Sequence, residues 1–439
     1  MSRFTDFLQV FALRNGLRIF FRQEYDGFGP RLRKLAGMHR RSLLRRPRIV
    51  AVIGSLGKTT TTRALNAALD CPNRNFSFSN YGASLAENLL RIRPWDVRSV
   101  LEVGISGPGP MASYAKMIRP DIVVVTSISS DHNRSFPTLL DTRAEKVKMV
   151  SPLPATSTVV LNGDDPNVRW MATQTQARVV TFGFNADNDF HAMNFETSAD
   201  GTTSFEVELD GKIIRVQSRL PGRHMVYPSL AAVTVAHLEK MELSGVLKRL
   251  RDLQPTDSRM EIIQLDGGIR ILNDSKKASI ESIHAVLDTF AGLPAARKII
   301  VLGKVEEPIG KPRDIYRELG KKMAGIASLI ICIGDDDLKS LRAAAVKAGM
   351  DFSAIHIHES RIEGVAEFLK GTLRSGDLVL VKGTSAQKLN RIVLQLMGKP
   401  VACNTKFCNV KVFSCNVCPL LNAPEKLFKN RYISRYFKV

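Results

Sequence analysis

The stretch RIVAVIGSLGKTTTT (residues 48–62) joins an apolar, β-branched run to the helix-like RALNAALD through a turn holding Gly54 and Gly57. A strand that ends in such a turn and restarts at once as a helix can face backbone N–H groups onto an anion. The helix N-terminus adds partial positive charge there. In a phosphate-binding turn the lysine, here Lys58, reaches the outer phosphates, and the next hydroxyl, Thr59, takes a place on Mg²⁺. The general pattern carries one more glycine, at the position occupied by Val52. Gly54, Ser55, Gly57, Lys58, Thr59 and Thr60 are the candidate nucleotide-binding residues; a tight strand–helix turn without ligand is the other reading.

Short β-branched runs recur at 99–104, 121–128 and 157–162, separated by segments of helical spacing such as TRAEKVKMV and PNVRWMATQT. That alternation predicts a parallel, helix-covered sheet. Between 178 and 219 the texture changes to four consecutive strand-like runs with turns at NADND, ADG and DG, which predict a small antiparallel appendage. A helical stretch follows at 226–252. Past QPTDSRM the alternation resumes, with strands at 260–265, 269–273, 297–302, 328–333 and 377–381. Helices are predicted at 278–291, 312–325, 337–347, 360–370 and 386–397. The fold class is therefore α/β, with a central P-loop parallel-sheet ATPase domain over 48–254 and its antiparallel appendage. A C-terminal Rossmann-like α/β domain covers 255–398. A basic segment, 1–47, precedes them and a basic cysteine-containing tail, 399–439, follows.

The net charge of +21 sits mostly at the ends. Residues 1–49 hold twelve Lys or Arg against Asp6, Glu24 and Asp26, and residues 399–439 hold eight against Glu425. FLQVFALRNGLRIFFRQ (7–23) places Arg14, Arg18 and Arg22 four apart on one helical face, opposite Leu13, Leu17, Phe20 and Phe21. Such a helix can lie on an anionic membrane or a partner protein, or dock onto the chain's own body. No nucleic-acid motif accompanies the charge, so nucleic acid is not expected as a partner. The sequence has no apolar run of about 18 residues and no signal-peptide pattern. The expected location is cytoplasmic, with the inner membrane face as the surface that helix would reach.

Four of the six cysteines, Cys403, Cys408, Cys415 and Cys418, fall within sixteen residues, spaced C-x₄-C-x₆-C-x₂-C. Four soft ligands could hold Zn²⁺ or an iron–sulfur cluster. The gaps match neither a standard zinc knuckle nor a ferredoxin run, and four unligated thiols is the alternative. Disulfides are not expected in a reducing cytoplasm.

The shortened turn GxxGKTTT resembles that of the Mur ligase superfamily, enzymes that use ATP to join a carboxylate to an amine. Further segments resemble the family's, in order. In VLEVGISGPGPM (100–111), Glu102 would bind Mg²⁺. RPDIVVVTSISSDHNRSF (119–136) leads to His132, which would orient the reaction intermediate. In TRAEKVK (142–148), Lys146 would carry a CO₂-derived carbamate, turning a cation into an anionic oxygen ligand; Glu145 and Lys148 are its charged neighbours. LNGDDPNV (161–168) would set Asn162 near adenine.

PGRHMVYPSLAAVTVA (221–236) resembles a family segment in which Met225 and Pro228 replace two asparagines. In DSRME (257–261), Arg259 would reach the ATP phosphates. In LNDSKKASIESI (272–283), Asp274 would bind the nucleotide ribose and Lys276 a phosphate. VKGTSAQKLNRIV (381–393) has Ala386 where the family carries an arginine.

The resemblance covers about 48–398. It implies ATP and Mg²⁺, with Lys58, Glu102, His132 and Lys146 as the catalytic set and Thr59, Glu102 and Lys146 as Mg²⁺ ligands. It also implies phosphorylation of a substrate carboxylate, attack by an amino acid or dipeptide amine, and release of ADP and phosphate. The region 178–236 leans toward the MurF type, hence toward peptidoglycan or other cell-envelope precursors, whereas NDSKKAS leans toward the MurD type. The peptidoglycan members carry a UDP-sugar domain ahead of the turn, where this chain has a basic segment too short for an independent core. A folylpolyglutamate- or poly-γ-glutamate-type ligase and a non-catalytic membrane-surface scaffold are the alternatives.

Overall fold

The structure is a computed structural model that describes residues 16–72, 80–129, 133–334, 337–358, 362, 364–405, 408, 414–418 and 421–422. The chain divides into two compact units, one of Tyr25–Pro255 and a second that takes Thr256 onward together with the residues up to Glu24.

In the first unit, β1 (Arg48–Ile53), β2 (Arg98–Glu102), β3 (Ile122–Val125), β4 (Thr158–Asn162), β5 (Arg178–Gly183) and β6 (Phe190–His191) form one sheet. Its order is β2-β1-β3-β4-β5-β6, with every pairing parallel. Alternate side chains on a strand point to opposite faces. Thus β1 sends Ile49, Ala51 and Ile53 into one core and Val50 and Val52 into another. The first core is closed by helices Gly82–Leu90 and Pro110–Ile118, and by Leu32, Ala36 and Leu44 at the end of helix Gly16–Ser42 and just past it. Lys58–Ala68, Val226–Leu238 and Leu243–Arg251 close the second.

Strands β7 (Met193–Thr197), β8 (Thr203–Leu209) and β9 (Lys212–Ser218) form a separate antiparallel sheet. This corrects the sequence reading, which ran the appendage from 178. β5 instead lies parallel to β4, from Thr158 opposite Arg178 to Asn162 opposite Phe182. A strand near a sheet edge has one wetter face, so its sequence alternates like an antiparallel one. Just before β6, Asp189 fastens the connection back to β5, its carboxylate accepting the Thr181 N–H and hydroxyl at 2.7 and 2.9 Å. The single helical stretch expected at 226–252 is also two helices, broken near Lys240 (φ 53°) and restarted where Glu242 accepts the Ser244 and Gly245 N–H groups.

The second unit orders β10 (Glu261–Gln264), β11 (Arg270–Asp274), β12 (Arg297–Leu302), β13 (Leu329–Ile333), β14 (Ile355–His358) and β15 (Asp377–Lys382) as β10-β11-β15-β12-β13-β14. Only the β10–β11 pairing is antiparallel. β14 escaped the sequence reading because IHIH is short and half polar. Arg391, 2% exposed, donates to the carbonyls of Cys403 (2.8 Å) and Thr405 (2.5 Å). Cys415 and Leu421 pack on Leu394, so the described tail residues belong to this unit's surface.

Residues 7–15 of the expected amphipathic helix lie outside the described residues, and the backbone is helical over Gly16–Ser42. Among the described residues no helix is long and apolar enough to cross a membrane.

Candidate functional site

The glycine turn is laced to the end of β3. Gly54 has φ 142°, and a Cβ there would meet Thr126 Oγ1 at 2.0 Å, so only glycine fits. Gly57 (φ 81°) starts helix Lys58–Ala68 in the left-handed region. Thr126 Oγ1 donates to the Leu56 carbonyl at 2.6 Å, and the Ser55 N–H donates to the Ser127 carbonyl at 2.7 Å. Lys58 Nζ donates to the carbonyls of Gly54 and Ser55, both at 2.8 Å, which sets its ammonium over the turn. Thr60 is buried with Thr61 on the inner face of the helix.

Register brings a carboxylate to the same place. Val52 of β1 pairs with Glu102 of β2, so Glu102 leaves its strand end beside the turn. Thr59 Oγ1 donates to Glu102 Oε1 at 3.1 Å, and Asn80 Nδ2 donates to the same oxygen at 2.6 Å. Asn80 carried no signal in the sequence beyond its polarity.

Lys146, 4% exposed, donates from Nζ to Ser55 Oγ at 2.8 Å. The Ser129 N–H donates to that oxygen at 3.0 Å, and the Ser129 hydroxyl is buried with no hydrogen-bond partner among the described residues. Glu145 and Lys146 close helix Leu139–Lys146, and Glu145 anchors that end. Its Oε1 accepts the Met111 N–H at 2.9 Å, in the first turn of helix Pro110–Ile118, and its Oε2 accepts Lys148 Nζ at 2.6 Å. Burial alone would raise the Glu145 pKa, but hydrogen bonds from Lys148, Met111 and Gly109 outweigh it and hold the carboxyl below its ordinary range. Lys148 is spent on Glu145, so Lys146 is the lysine at the turn.

Asn162 is buried, donating to the Thr126 carbonyl at 2.8 Å and accepting the Asp164 N–H at 3.2 Å. It ties β4 to the end of β3. The sequence reading passed over Asp164, whose carboxylate accepts the Tyr227 hydroxyl (2.9 Å), the Phe184 N–H (2.6 Å) and the Asn188 amide (2.9 Å). Burial, then that carboxylate, pushes the Tyr227 pKa upward. The Arg223 guanidinium stacks 3.7 Å from the Phe184 ring centroid. The second aspartate of an N-x-D-D pattern was the available signal for this network.

In the second unit, Lys382, 1% exposed, donates to Asp274 Oδ2 at 2.6 Å, and the Met260 N–H reaches Oδ1 at 3.3 Å. Burial draws the Lys382 pKa down while Asp274 opposes it. Arg259 sits between two residues of positive φ, Ser258 (59°) and Met260 (49°). Its Nε is buried without a hydrogen-bond partner among the described residues. Burial, then the charge of Arg259, lowers the Lys276 pKa. Asp257 opposes that lowering from the other side, so the corner sets two cations and an unspent Arg259 donor beside one carboxylate.

His132 lies outside the described residues. Cys418 packs beside Cys415, but among the described residues no group of three or more His, Cys, Asp or Glu could hold a metal ion. Cys403 Sγ faces Arg391 Nη1 at 3.4 Å, and Cys415 is buried, its thiol pushed up to about 12 chiefly by that burial. Among the described residues these contacts leave the cysteines as unligated thiols rather than an assembled Zn²⁺ or iron–sulfur site. Mg²⁺ is a different case. The Thr59 hydroxyl, the Glu102 carboxylate and the unpartnered Ser129 hydroxyl are hard oxygen donors of the kind Mg²⁺ takes, with phosphates and water completing its shell.

The family model of the Mur ligase middle domain matches residues 52–236, and that of the Mur ligase, glutamate ligase domain matches residues 258–385. The chain is 28% identical over 286 residues to the UDP-N-acetylmuramoyl-tripeptide--D-alanyl-D-alanine ligase of Escherichia coli, covering 64% of this chain and 63% of that one. The enzyme of the same name from Bacillus subtilis is 25% identical over 370 residues, or 81% of this chain and 77% of that one. The match to the first therefore spans less than two thirds of that relative. Among solved structures, MurF of Thermotoga maritima in complex with ADP superposes with a TM-score of 0.71 at 20% identity, over 84% of this chain and 83% of that one. MurF from Acinetobacter baumannii gives 0.71 at 19%, over 84% and 80%. These likenesses show the fold.

Proposed function

This chain belongs to the Mur ligase family, and on that footing we propose that it is an ATP-dependent, ADP-forming carboxylate–amine ligase of cell-envelope precursor synthesis, nearest the MurF type. The observation that carries the reading is the convergence of Thr59, Glu102, Ser55 and Lys146 on one glycine turn. A turn of this kind holds a triphosphate by backbone N–H groups and the Lys58 ammonium.

A substrate carboxylate oxygen attacks the γ-phosphorus of ATP, the bond to the β-bridging oxygen breaks, and ADP leaves. The amine nitrogen then attacks the acyl-phosphate carbon, loses a proton, and expels phosphate as the amide forms. Lys58 neutralises charge that develops on the transferring phosphoryl oxygens. Mg²⁺, held by Thr59 and Glu102, would supply further neutralisation of that charge. A carbamate on Lys146 would add an anionic oxygen beside Ser55; the near-complete burial of Lys146 fits a modification that is lost as CO₂ when solvent protonates it. His132 is assigned the orientation of the tetrahedral intermediate. Arg259 and Lys276 are assigned to phosphate, and Asn162 to the adenine side of the turn.

Asp274 is assigned to the ribose through whatever lone pairs its contacts with Lys382 and Met260 leave free. The proposed location is the cytoplasm, where ATP and such precursors are available. Purified full-length protein with Mg-ATP should be offered UDP-muramoyl tripeptide, a lipid-linked counterpart, a folate or a poly-γ-glutamate chain. Each acceptor is paired with D-alanyl-D-alanine, glutamate or ammonia. ADP formation that requires a muramoyl acceptor and an amine together supports the reading. ADP formation only with folate or poly-γ-glutamate moves the chain to those ligases, and ATP that neither binds nor turns over with any pair leaves a scaffold.

A further inference from the structure

The outward face of helix Gly16–Ser42 is unlike an ordinary solvent face. Its inward side, Leu32, Ala36 and Leu44 just beyond it, is packed in the first core, and Arg40 donates to Asp121 Oδ2 at 2.9 Å and to the Ile118 carbonyl at 3.0 Å. At the complementary helical spacing stand Arg31, Lys34, Leu35, Met38 and Arg41, all exposed. Leu35 is 53% and Met38 50% exposed, and Leu43 follows at 56%. Large apolar side chains on the wet face of a helix, flanked by cations, give it a second amphipathic side. From residue 27 to residue 69 the chain carries no Asp or Glu. Among the described residues, Arg31, Lys34 and Arg41 form no ion pair, so their charge is unspent.

The surface continues into the loop before β2. His39 Nε2 meets the Ile92 carbonyl at 3.0 Å, and the Arg48 N–H donates to the Val97 carbonyl at 3.0 Å. These bonds pin both ends of the loop that carries Trp95, 64% exposed, with the Arg93 guanidinium 5.6 Å from its ring. An indole with one wet edge beside cations is the residue type that settles at a headgroup layer.

We propose that this face, Arg31, Lys34, Leu35, Met38 and Arg41 with Trp95, is a docking surface for an anionic phospholipid bilayer. The cations meet the headgroups while Leu35, Met38 and Trp95 enter the acyl boundary. Charge alone would suit any polyanion. What selects lipid is the pair of aliphatic side chains set between the cations, which a phosphodiester backbone cannot use. This goes beyond the ligase reading and does not depend on it, since it needs no nucleotide.

The test is co-sedimentation of the full-length chain with vesicles of phosphatidylcholine containing or lacking 30% phosphatidylglycerol. Binding is expected to the anionic vesicles, with at least a tenfold weaker partition onto phosphatidylcholine alone and a marked loss in 0.5 M NaCl, where the Debye length is only about 4 Å. Arg31→Glu/Lys34→Glu/Arg41→Glu should weaken partition at least tenfold, and Leu35→Ser/Met38→Ser at least threefold. An Arg14→Glu/Arg18→Glu/Arg22→Glu variant should keep at least a third of the binding. All these positions lie outside the glycine turn and its partners, and an unchanged melting temperature and circular dichroism spectrum confirm that each variant is folded. Equal binding to both vesicle types would overturn the proposal, as would indifference to the serine pair. So would tighter, serine-insensitive binding to a single-stranded RNA 30-mer, or loss of all binding in the Arg14/Arg18/Arg22 variant.

Discussion

Lys146 Nζ and Ser55 Oγ, 91 positions apart in the chain, meet at 2.8 Å in a place almost closed to water. The contact joins the helix after β3 to the glycine turn after β1. It gives the ammonium, or a carbamate built on it, a fixed position at the glycine turn.

Replacing Lys146 by alanine is expected to lower kcat by roughly 10²–10³, the scale of losing one preorganised charged contact, with the melting temperature nearly unchanged. If the working group is a carbamate, acetate or formate at tens of millimolar restores part of the rate. If it is the bare ammonium, methylamine does so and the carboxylates do not. Steady-state rates with each additive decide between them.

Glu145 acts one residue away and by a different route. Its carboxylate is buried between the first turn of helix Pro110–Ile118 and Lys148, so Glu145→Gln is expected to cost about 1–3 kcal/mol of stability. Its folded pKa lies below the ordinary 4.5. The stabilisation is therefore fully present above about pH 4.5 and is lost as pH falls through the lower folded value. Urea melts of wild type and variant should differ at pH 7 and converge as the pH drops below 4.

The Lys382–Asp274 pair is sealed in the second unit. Removing one partner strands the other, so Lys382→Met alone or Asp274→Leu alone is expected to cost about 3–5 kcal/mol. The double variant should recover most of that loss. A double-mutant cycle by denaturant melts measures it, and additive losses would show that the two charges do not depend on each other.

Much of this arrangement is legible in the sequence, for physical reasons. The strand–turn–helix at 48–68 announces itself because two glycines, a lysine and four threonines have no other common packing purpose. The parallel strands do so because β-branched runs buried on both faces look alike everywhere. What escaped is what depends on tertiary partners. Nothing local in Asn80 tells that it will share an oxygen of Glu102, nor in Asp164 that Tyr227 will bond it across 63 residues. β5 was placed in the wrong sheet because alternation reports one wet face, not the direction of the neighbour. The tail cysteines left ligated and unligated readings both open, since spacing alone cannot say whether thiols converge.

Those cysteines make their own prediction. Burial pushes Cys332 and Cys415 up to about 12, above the thiol's ordinary 9. The unfolded chain therefore loses protons first, and the two contribute a loss of stability as pH rises from 9 toward 12. At pH 8, iodoacetamide followed by mass spectrometry should label Cys408 and Cys418 and spare Cys332 and Cys415. EDTA should leave the melting temperature of the second unit unchanged, because among the described residues no set of ligands comes together to hold a metal.

The central claim is that a carboxyl group is activated by phosphoryl transfer at the Thr59–Glu102–Lys146 turn. Its most direct test is to supply the accepted acid labelled with ¹⁸O in the carboxylate, together with Mg-ATP and the amine, and to analyse the phosphate released. One ¹⁸O atom should pass into phosphate for every amide formed, with ADP as the other product. Unlabelled phosphate, or AMP and pyrophosphate in place of ADP, would contradict the account.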